Sequence, residues 1–471
     1  MITMEIPQLM SEQYLQAAEI IKNSEDIKIY SHIDCDGICS GAILSTILDR
    51  QNKEHEIEFV NLDVLDNIEL THELTIFSDL GSGQNITTNA KKDQKIIILD
   101  HHPPLRDLDY KDDKNYTYLE INPLHHGIDG SYYVCGGGLC YFLAKEFGYT
   151  DLSWIGVLSA IGDMQNQRTG HMEGLNKIIQ QDAIDGGYLE LIENDLNIYG
   201  RNTRPLFIAI SYFSDVKLPT TNNTTESMAI LEELGIDEKH NRKTLNELTE
   251  EEKGKVFQYM MGMLSKAVPA KYIRYLPQLI IGDSYTFLKE DYDSFLRDGS
   301  EFSTAMNACG RNHEEKVAME VLKGDRFVAL DELENVSKTH RYNLATSIEK
   351  VAEGNEANII EMENLQYFDG DGIKPEIVGT VTGMILGYCN WKKPIIGFSQ
   401  TENDGLKVSL RCSRLLSYDG IHFGNIIREI ASEVGGSGGG HAMACGAYIP
   451  IEKKSEFLEL FNEKLNGLIT N

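Results

Sequence analysis

In the stretch YSHIDCDGICSGA, residues 30–42, His32, Asp34 and Asp36 stand at alternate positions directly after the strand-like run EDIKIY. Asp79 follows a second such run in FSDLGSG, and Asp100, His101 and His102 follow a third in ILDHHPP. Asp163 closes an apolar segment in SAIGD. Five aspartates and three histidines gathered in one crevice would raise each other's pKa values by mutual repulsion unless cations neutralised them. A divalent ion that keeps a position open for substrate takes three or four protein ligands, so this set suits two ions with one aspartate shared. Mixed aspartate and histidine ligation fits Mn2+, and also Zn2+ or Fe2+; an all-oxygen set would fit Mg2+ better. Two metals about 3.5–4 Å apart are a recurrent device for hydrolysing phosphate esters. One HxD or one DHH alone says little, because aspartate commonly ends a strand. The three strand ends taken together carry the reading.

For these side chains to meet, their strands must lie parallel and end at one edge, since ligands of an open parallel sheet bind at the carboxyl ends of its strands. The chain supplies such elements. Residues 11–24 read as an amphipathic helix with Tyr14, Ala18 and Ile21 on one face. Residues 27–31, 56–60, 74–78 and 96–99 read as strands, 37–50 as a helix, and 151–162 as an apolar helix ending at Asp163. Isoleucine-rich strands alternating with helices predict a parallel α/β sheet. From about 215 to 345 the sequence is charged and helical in pattern, and NELTEEEKGKVFQYMMGMLSKA is one of its helices. Alternation then returns, with strands over 357–365, 394–400 and 406–412, helices over 377–388 and within 418–434, and a last helix from about Lys453. The TENDG between two of these strands is a hairpin signal. The expected organisation is an α/β domain over 1–214, a mostly helical insert over 215–345 carrying none of the ligands, and a smaller α/β domain over 346–471.

A chain of 471 residues with 41% hydrophobic content can bury two or three cores. It has no apolar run of membrane-spanning length, and its first residues do not read as a secretion signal. Eight cysteines without a CxxC pair suggest reduced thiols and a cytoplasmic protein. Lys and Arg number 43 against 73 Asp and Glu, a net charge of −30. That balance speaks against a protein that coats long nucleic acid by counterion release; it reads first as a solvated acidic surface that aids solubility, and otherwise as local, short nucleic-acid contacts or docking of a basic partner.

Near the C-terminus, GGSGGGHAMACGAYIP places Gly435, Gly436, Gly438, Gly439 and Gly440 before His441. Such glycines let backbone N–H groups approach an anion closely. Arg411 and Arg414, at the preceding strand, would add charge for a phosphate. Gly136–Gly138 read as the tight start of a helix beside the site. His125 and His126 read as a polar loop before substrate contacts, and Trp154 and Trp391 as core.

SHIDCDG, FSDLGSG, ILDHHPP and AIGD resemble the four motifs of the DHH phosphoesterases, and GGSGGGHAMACGAYIP resembles the glycine-rich signature of the DHH-associated C-terminal domain. Between them, RNTRPLFIAISYF, AILEELGI and LRDGSEFSTAMNACGR are similar to the archaeal RecJ-like nucleases, some of which bind the GINS replication complex. The resemblance implies metal-dependent phosphodiester hydrolysis with two divalent ions, Mn2+ before Mg2+. It implies a first metal held by His32, Asp34 and Asp79, and a second by Asp36, Asp79, His101 and Asp163. His102 would face the scissile phosphate, Asp100 would orient the histidine pair, and the loop with Gly438, Gly439, Gly440 and His441 would grip the strand. AMACG departs from the family's more usual pair of alanines, and Cys445 is small enough to fit. The expected function is a single-strand exonuclease on DNA or RNA, in replication, repair or RNA processing. The rival readings are a phosphodiesterase for short oligonucleotides or cyclic dinucleotides, and an inactive scaffold in a replication assembly.

Overall fold

The computed structural model describes residues 5–111, 114–236, 242–353, 356–401 and 405–469. By contacts the chain divides into two compact units, Met1–Asp195 with Gly282–Lys338, and Leu196–Ile281 with Thr339–Asn471. This redraws the expected boundaries. The charged segment 215–345 is shared between both units rather than forming an insert of its own, because the helix Gly299–Gly310 buries Phe302, Ala305, Met306 and Cys309 in the core of the first unit.

The first unit is built on a five-stranded, all-parallel sheet. Its strands are β1 (Ile27–His32), β2 (His55–Val60), β3 (Leu74–Ser78), β4 (Lys95–Leu99) and β5 (Thr117–Ile121), in the order β2-β1-β3-β4-β5. The period of two along β4 sends Ile96 and Ile98 to one core and Ile97 and Leu99 to the other, so both faces are covered. The edge strand β5 was not anticipated. Its TYLEI carries a glutamate, Glu120, that is buried and bonded to Ser82 and Tyr118, which hides the strand from an apolar pattern. On one face lie α1 (Gln8–Lys22), α2 (Cys35–Arg50), α3 (Gly136–Glu146) and α4 (Ser153–Gly162). Trp154 stacks on Phe302 and meets Phe287 edge-on, in the core as expected.

The second unit has a six-stranded sheet whose strands, in spatial order, are Ile360–Glu361, Gln366–Asp369, Ile395–Gln400, Gly405–Arg411, Ala444–Pro450 and Ser437–Gly440. Helices Phe423–Glu433 and Lys454–Lys464 cover one face and Pro375–Ile385 the other. Strand pairing Gln400↔Leu406 fits the hairpin read from TENDG, whose residues 402–404 lie outside the described ones. The strand expected over 357–365 is displaced. Met362 N–H bonds Leu365 O and closes a turn, so the longer strand starts at Gln366. The helix Glu250–Ala267 starts where Thr249 and Glu252 form a capping box. Trp391 lies edge-on to Tyr272 in the helical core of this unit, also as expected.

Candidate metal centre

The register of the parallel sheet assembles the site. Ser31 pairs with Ser78, Ser78 with Leu99 and Leu99 with Ile121. His32, Asp79, Asp100 and Asn122 therefore emerge one step past the same level, at the carboxyl edge. The chain then turns at once. Asp34 caps α2 by accepting from Gly37 N–H at 3.0 Å, and Asp36 sits in the first turn of that helix. Asp79 adopts φ +59°, a left-handed conformation that aspartate tolerates better than most residues.

Among the described residues, three groups each bring their donor atoms within 4.8 Å of one another: His32, Asp34 and Asp79; Asp36, His101 and Asp163; and Asp79, His101 and His102. His32 Nδ1 is 3.1 Å from Asp34 Oδ2 and 3.4 Å from Asp79 Oδ2. His101 Nε2 is 3.2 Å from Asp79 Oδ1, 3.5 Å from Asp36 Oδ2 and 3.8 Å from Asp163 Oδ2. Asp79 thus turns one oxygen to each group. Close as they are, His32 Nδ1 and Asp79 Oδ2 are buried and, among the described residues, meet no well-aligned hydrogen-bond partner. Two such buried atoms facing each other fit a cation between them.

Without cations, protons take their place. Burial and the charge of Asp79 push the Asp36 carboxyl well above its ordinary pKa. For His32 and His101 burial opposes protonation, but the surrounding aspartates outweigh it and raise both well above the ordinary imidazole value.

The supports explain why so crowded a site can form. Asp36 accepts from the N–H groups of Gly136 and Gly137 at 2.8 and 2.7 Å and from the Ser159 hydroxyl, so the positive end of α3 faces its charge. The run Gly136–Gly138 starts that helix against the site, as its sequence suggests. A Cβ on Gly136 would stand 2.6 Å from the Cβ of Asp79. His102 Nδ1 bonds Asp100 Oδ1 at 2.8 Å, and the His102 side chain is 44% exposed. Burial works against the Asp100 charge, yet His102, His101 and the Ser82 amide hold its pKa below the ordinary carboxylate value. Asp100, expected to orient both histidines, bonds His102 with its carboxylate, while His101 Nδ1 lies 2.7 Å from the carbonyl of Gly130. Behind Asp100, Asn122 Nδ2 donates to the His102 carbonyl at 2.8 Å and to Ser82 Oγ at 3.0 Å. His126 meets Gln13 at 3.0 Å, and His125 lies 3.7 Å from buried Glu120; both belong to this supporting layer.

Sequence reading missed Gly130, Ser159, Asn307 and Gly310. Asn307 Oδ1 accepts from Cys35 N–H at 3.0 Å, and a Cβ on Gly310 would come 1.8 Å from Ile33 O. Both lie in LRDGSEFSTAMNACGR, a segment singled out by resemblance but assigned to the insert, and they hold the loop that carries His32, Asp34 and Asp36.

The C-terminal candidates fall in the second unit. Ser437–Gly440 is an edge strand paired with Ala444–Pro450 rather than a loop. His441 N–H bonds Ala444 O at 3.0 Å in the turn that follows. Arg411 is half-buried on the neighbouring strand. Its guanidinium donates to Leu410 O at 2.8 Å and, among the described residues, meets no carboxylate. Burial lowers its pKa. Arg414 departs from the expectation of a phosphate contact. Its Nε and Nη2 bond Asp215 Oδ2 at 3.0 and 2.6 Å, and Nη2 also donates to Leu279 O at 2.7 Å. Its charge is engaged in joining the helical and sheet parts of this unit. Arg414→Met leaves the largely buried Asp215 uncompensated and is expected to destabilise the protein by about 2–4 kcal/mol, read from urea unfolding. A stability within about 0.5 kcal/mol of wild type would show the pair to be dispensable.

With this geometry in place, comparison with known proteins gives the family. The DHH family N-terminal domain matches residues 26–159, the DHH-CID domain residues 198–276 and the DHHA1 domain residues 362–467. Uncharacterized protein MJ0831 of Methanocaldococcus jannaschii is 31% identical over 454 residues, which cover 94% of each chain. The chain belongs to the DHH family, and the aspartates and histidines gathered at its sheet edge fit the metal centre of a phosphoesterase of that family. Among solved structures it is similar to CDC45 from Entamoeba histolytica, with TM-score 0.62, 14% identity and 96% and 98% of the two chains covered. It is also similar to RecJ in complex with Mn2+ from Thermus thermophilus, with TM-score 0.56, 14% identity, and 98% of this chain but 55% of that one covered. These two share its fold. Among the described residues no helix is long and apolar enough to cross a membrane.

Proposed function

We propose that the protein is a metal-dependent single-strand exonuclease that hydrolyses phosphodiester bonds of DNA or RNA with two divalent ions, Mn2+ before Mg2+. The observation that carries this reading is the pair of ligand groups on either side of Asp79, one with His32 and Asp34, the other with Asp36, His101 and Asp163. Bound ions would supply Lewis-acid charge to the phosphoryl oxygens and lower the pKa of water. The chain's own residues would do the rest. His102, held through Nδ1 by Asp100, would present Nε2 to the scissile phosphate and hand a proton to the leaving oxygen. Arg411, half-buried and without a carboxylate partner among the described residues, and the edge strand Gly438–Gly440 with His441 would bind backbone phosphate away from the cut. The likeness to CDC45 and RecJ favours a role beside a replication or repair assembly, with the GINS complex as the candidate partner.

DNA and RNA strands labelled at either end, digested with Mn2+ and resolved by length, test the reading. Ladders that shorten from one end support it. Cleavage of dinucleotides or cyclic dinucleotides with long strands untouched would replace it with the short-substrate phosphodiesterase, and no cleavage with any divalent ion would leave the scaffold.

A further inference from the structure

We infer that Gln165 is the positioning residue of the second metal position, fixing Asp163 directly and His101 through the carbonyl of Gly130. This rests on the two-ion reading above.

The backbone delivers Gln165 to that place. At the end of α4 the N–H of Met164 bonds Ile161 O at 3.1 Å and the N–H of Gln165 bonds Ala160 O at 3.0 Å. This is the double closure that usually has glycine at its left-handed residue. Here Met164 takes that conformation, with φ +58°. The turn folds Gln165 back over Asp163, where it is 1% exposed.

Its amide has one orientation that satisfies its neighbours. Nε2 lies 2.8 Å from Asp163 Oδ2 and 2.8 Å from Gly130 O, both acceptors when the carboxyl is ionised. Oε1 receives the Asn176 side-chain N–H at 2.5 Å. Two donors on Nε2 and an acceptor at Oε1 are all used, so the amide is neither flipped nor free to turn. Gly130 O meets a second donor, His101 Nδ1, at 2.7 Å. That bond places the imidazole proton on Nδ1 and leaves Nε2 toward Asp36, Asp79 and Asp163 as a ligand. One side chain therefore sets the carboxylate and the imidazole of the same ion, which come from a helix end and a strand end distant in sequence. The other group, His32 with Asp34, lies outside this relay.

Full-length protein stripped of metal and titrated with Mn2+, with free ion followed by electron paramagnetic resonance, tests the relay. Wild type should show two classes of site. Gln165→Leu should weaken one class by about 10–100-fold and leave the other unchanged, while the melting temperature of the metal-free protein stays near that of wild type. Turnover lost at low Mn2+ should return at high Mn2+. Asn176→Asp is the second variant, for use also if Gln165→Leu fails to fold. A carboxylate facing Oε1 forces the Gln165 amide to turn its oxygen toward Asp163, and the same class should weaken. Two sites of unaltered affinity in the variants, or an equal loss at both, overturn the inference while the two-ion reading stands. A single class of site in wild type overturns both.

Discussion

Asp79→Asn is expected to remove nearly all hydrolysis while the protein still folds. Asp79 faces His32 with Oδ2 at 3.4 Å and His101 with Oδ1 at 3.2 Å, the arrangement that the proposed sharing between two metal positions requires. An amide keeps the shape but loses the charge and one of the two acceptor oxygens, which weakens both metal positions together. Asparagine also accepts the left-handed conformation required at this strand end, φ +59°. The fold should therefore survive, as circular dichroism and the melting temperature of the metal-free protein would show. Turnover at fixed Mn2+ is expected to fall by more than about 100-fold. A variant that kept more than about a tenth of wild-type turnover would remove Asp79 from the bridging role.

The second large effect concerns substrate length. His441→Ala and Arg411→Ala should each raise KM for a single strand of about 20 nucleotides more than they lower kcat. If the C-terminal sheet holds the strand away from the cut, its contacts are as strong in the ground state as in the transition state. One charge-assisted contact to phosphate is worth about 1.5–3 kcal/mol, roughly ten- to a hundredfold in KM. Arg411 is the stronger candidate, because its half-buried guanidinium has a backbone carbonyl and no carboxylate as partner among the described residues. On a dinucleotide the defect should shrink. Added salt should deepen it on the long strand, since the remaining contacts are to phosphate. An equal collapse of kcat on both substrates would move these residues into the chemistry and end the division between cutting and holding units.

The charged segment 215–345 shows where sequence and contacts part. Its helices are legible from their periodicity, and the capping box at Thr249 and Glu252 even marks a start. Its place in the molecule is not legible. Asn307 and Gly310 lie against the loop of His32 and Asp34, so removing the whole segment would remove part of the support of the metal centre. The glycine run Gly438–Gly440 is a related case. Its composition shows that a backbone must approach something closely, and it fits both a loop around an anion and an edge strand. Pairing with Ala444–Pro450 chooses the strand.

What the sequence determined by itself was which aspartates and histidines meet at one sheet edge, and the parallel sheet that brings them there. Apolar strands ending in His32, Asp79 and Asp100 can bring those groups together only if they run side by side, and so many carboxylates in one place require cations. Tertiary structure decided everything that depends on orientation across long sequence separations. The register Ser31↔Ser78↔Leu99 levels the strand ends, and Asp79 turns one oxygen to each ligand group. Gly130 takes His101 while Asp100 keeps His102, and Asp215 occupies the Arg414 charge expected to meet phosphate. The physical reason is that residue type fixes which hydrogen bonds and charges a side chain can offer. Which neighbour accepts them is settled by packing between segments far apart in the chain.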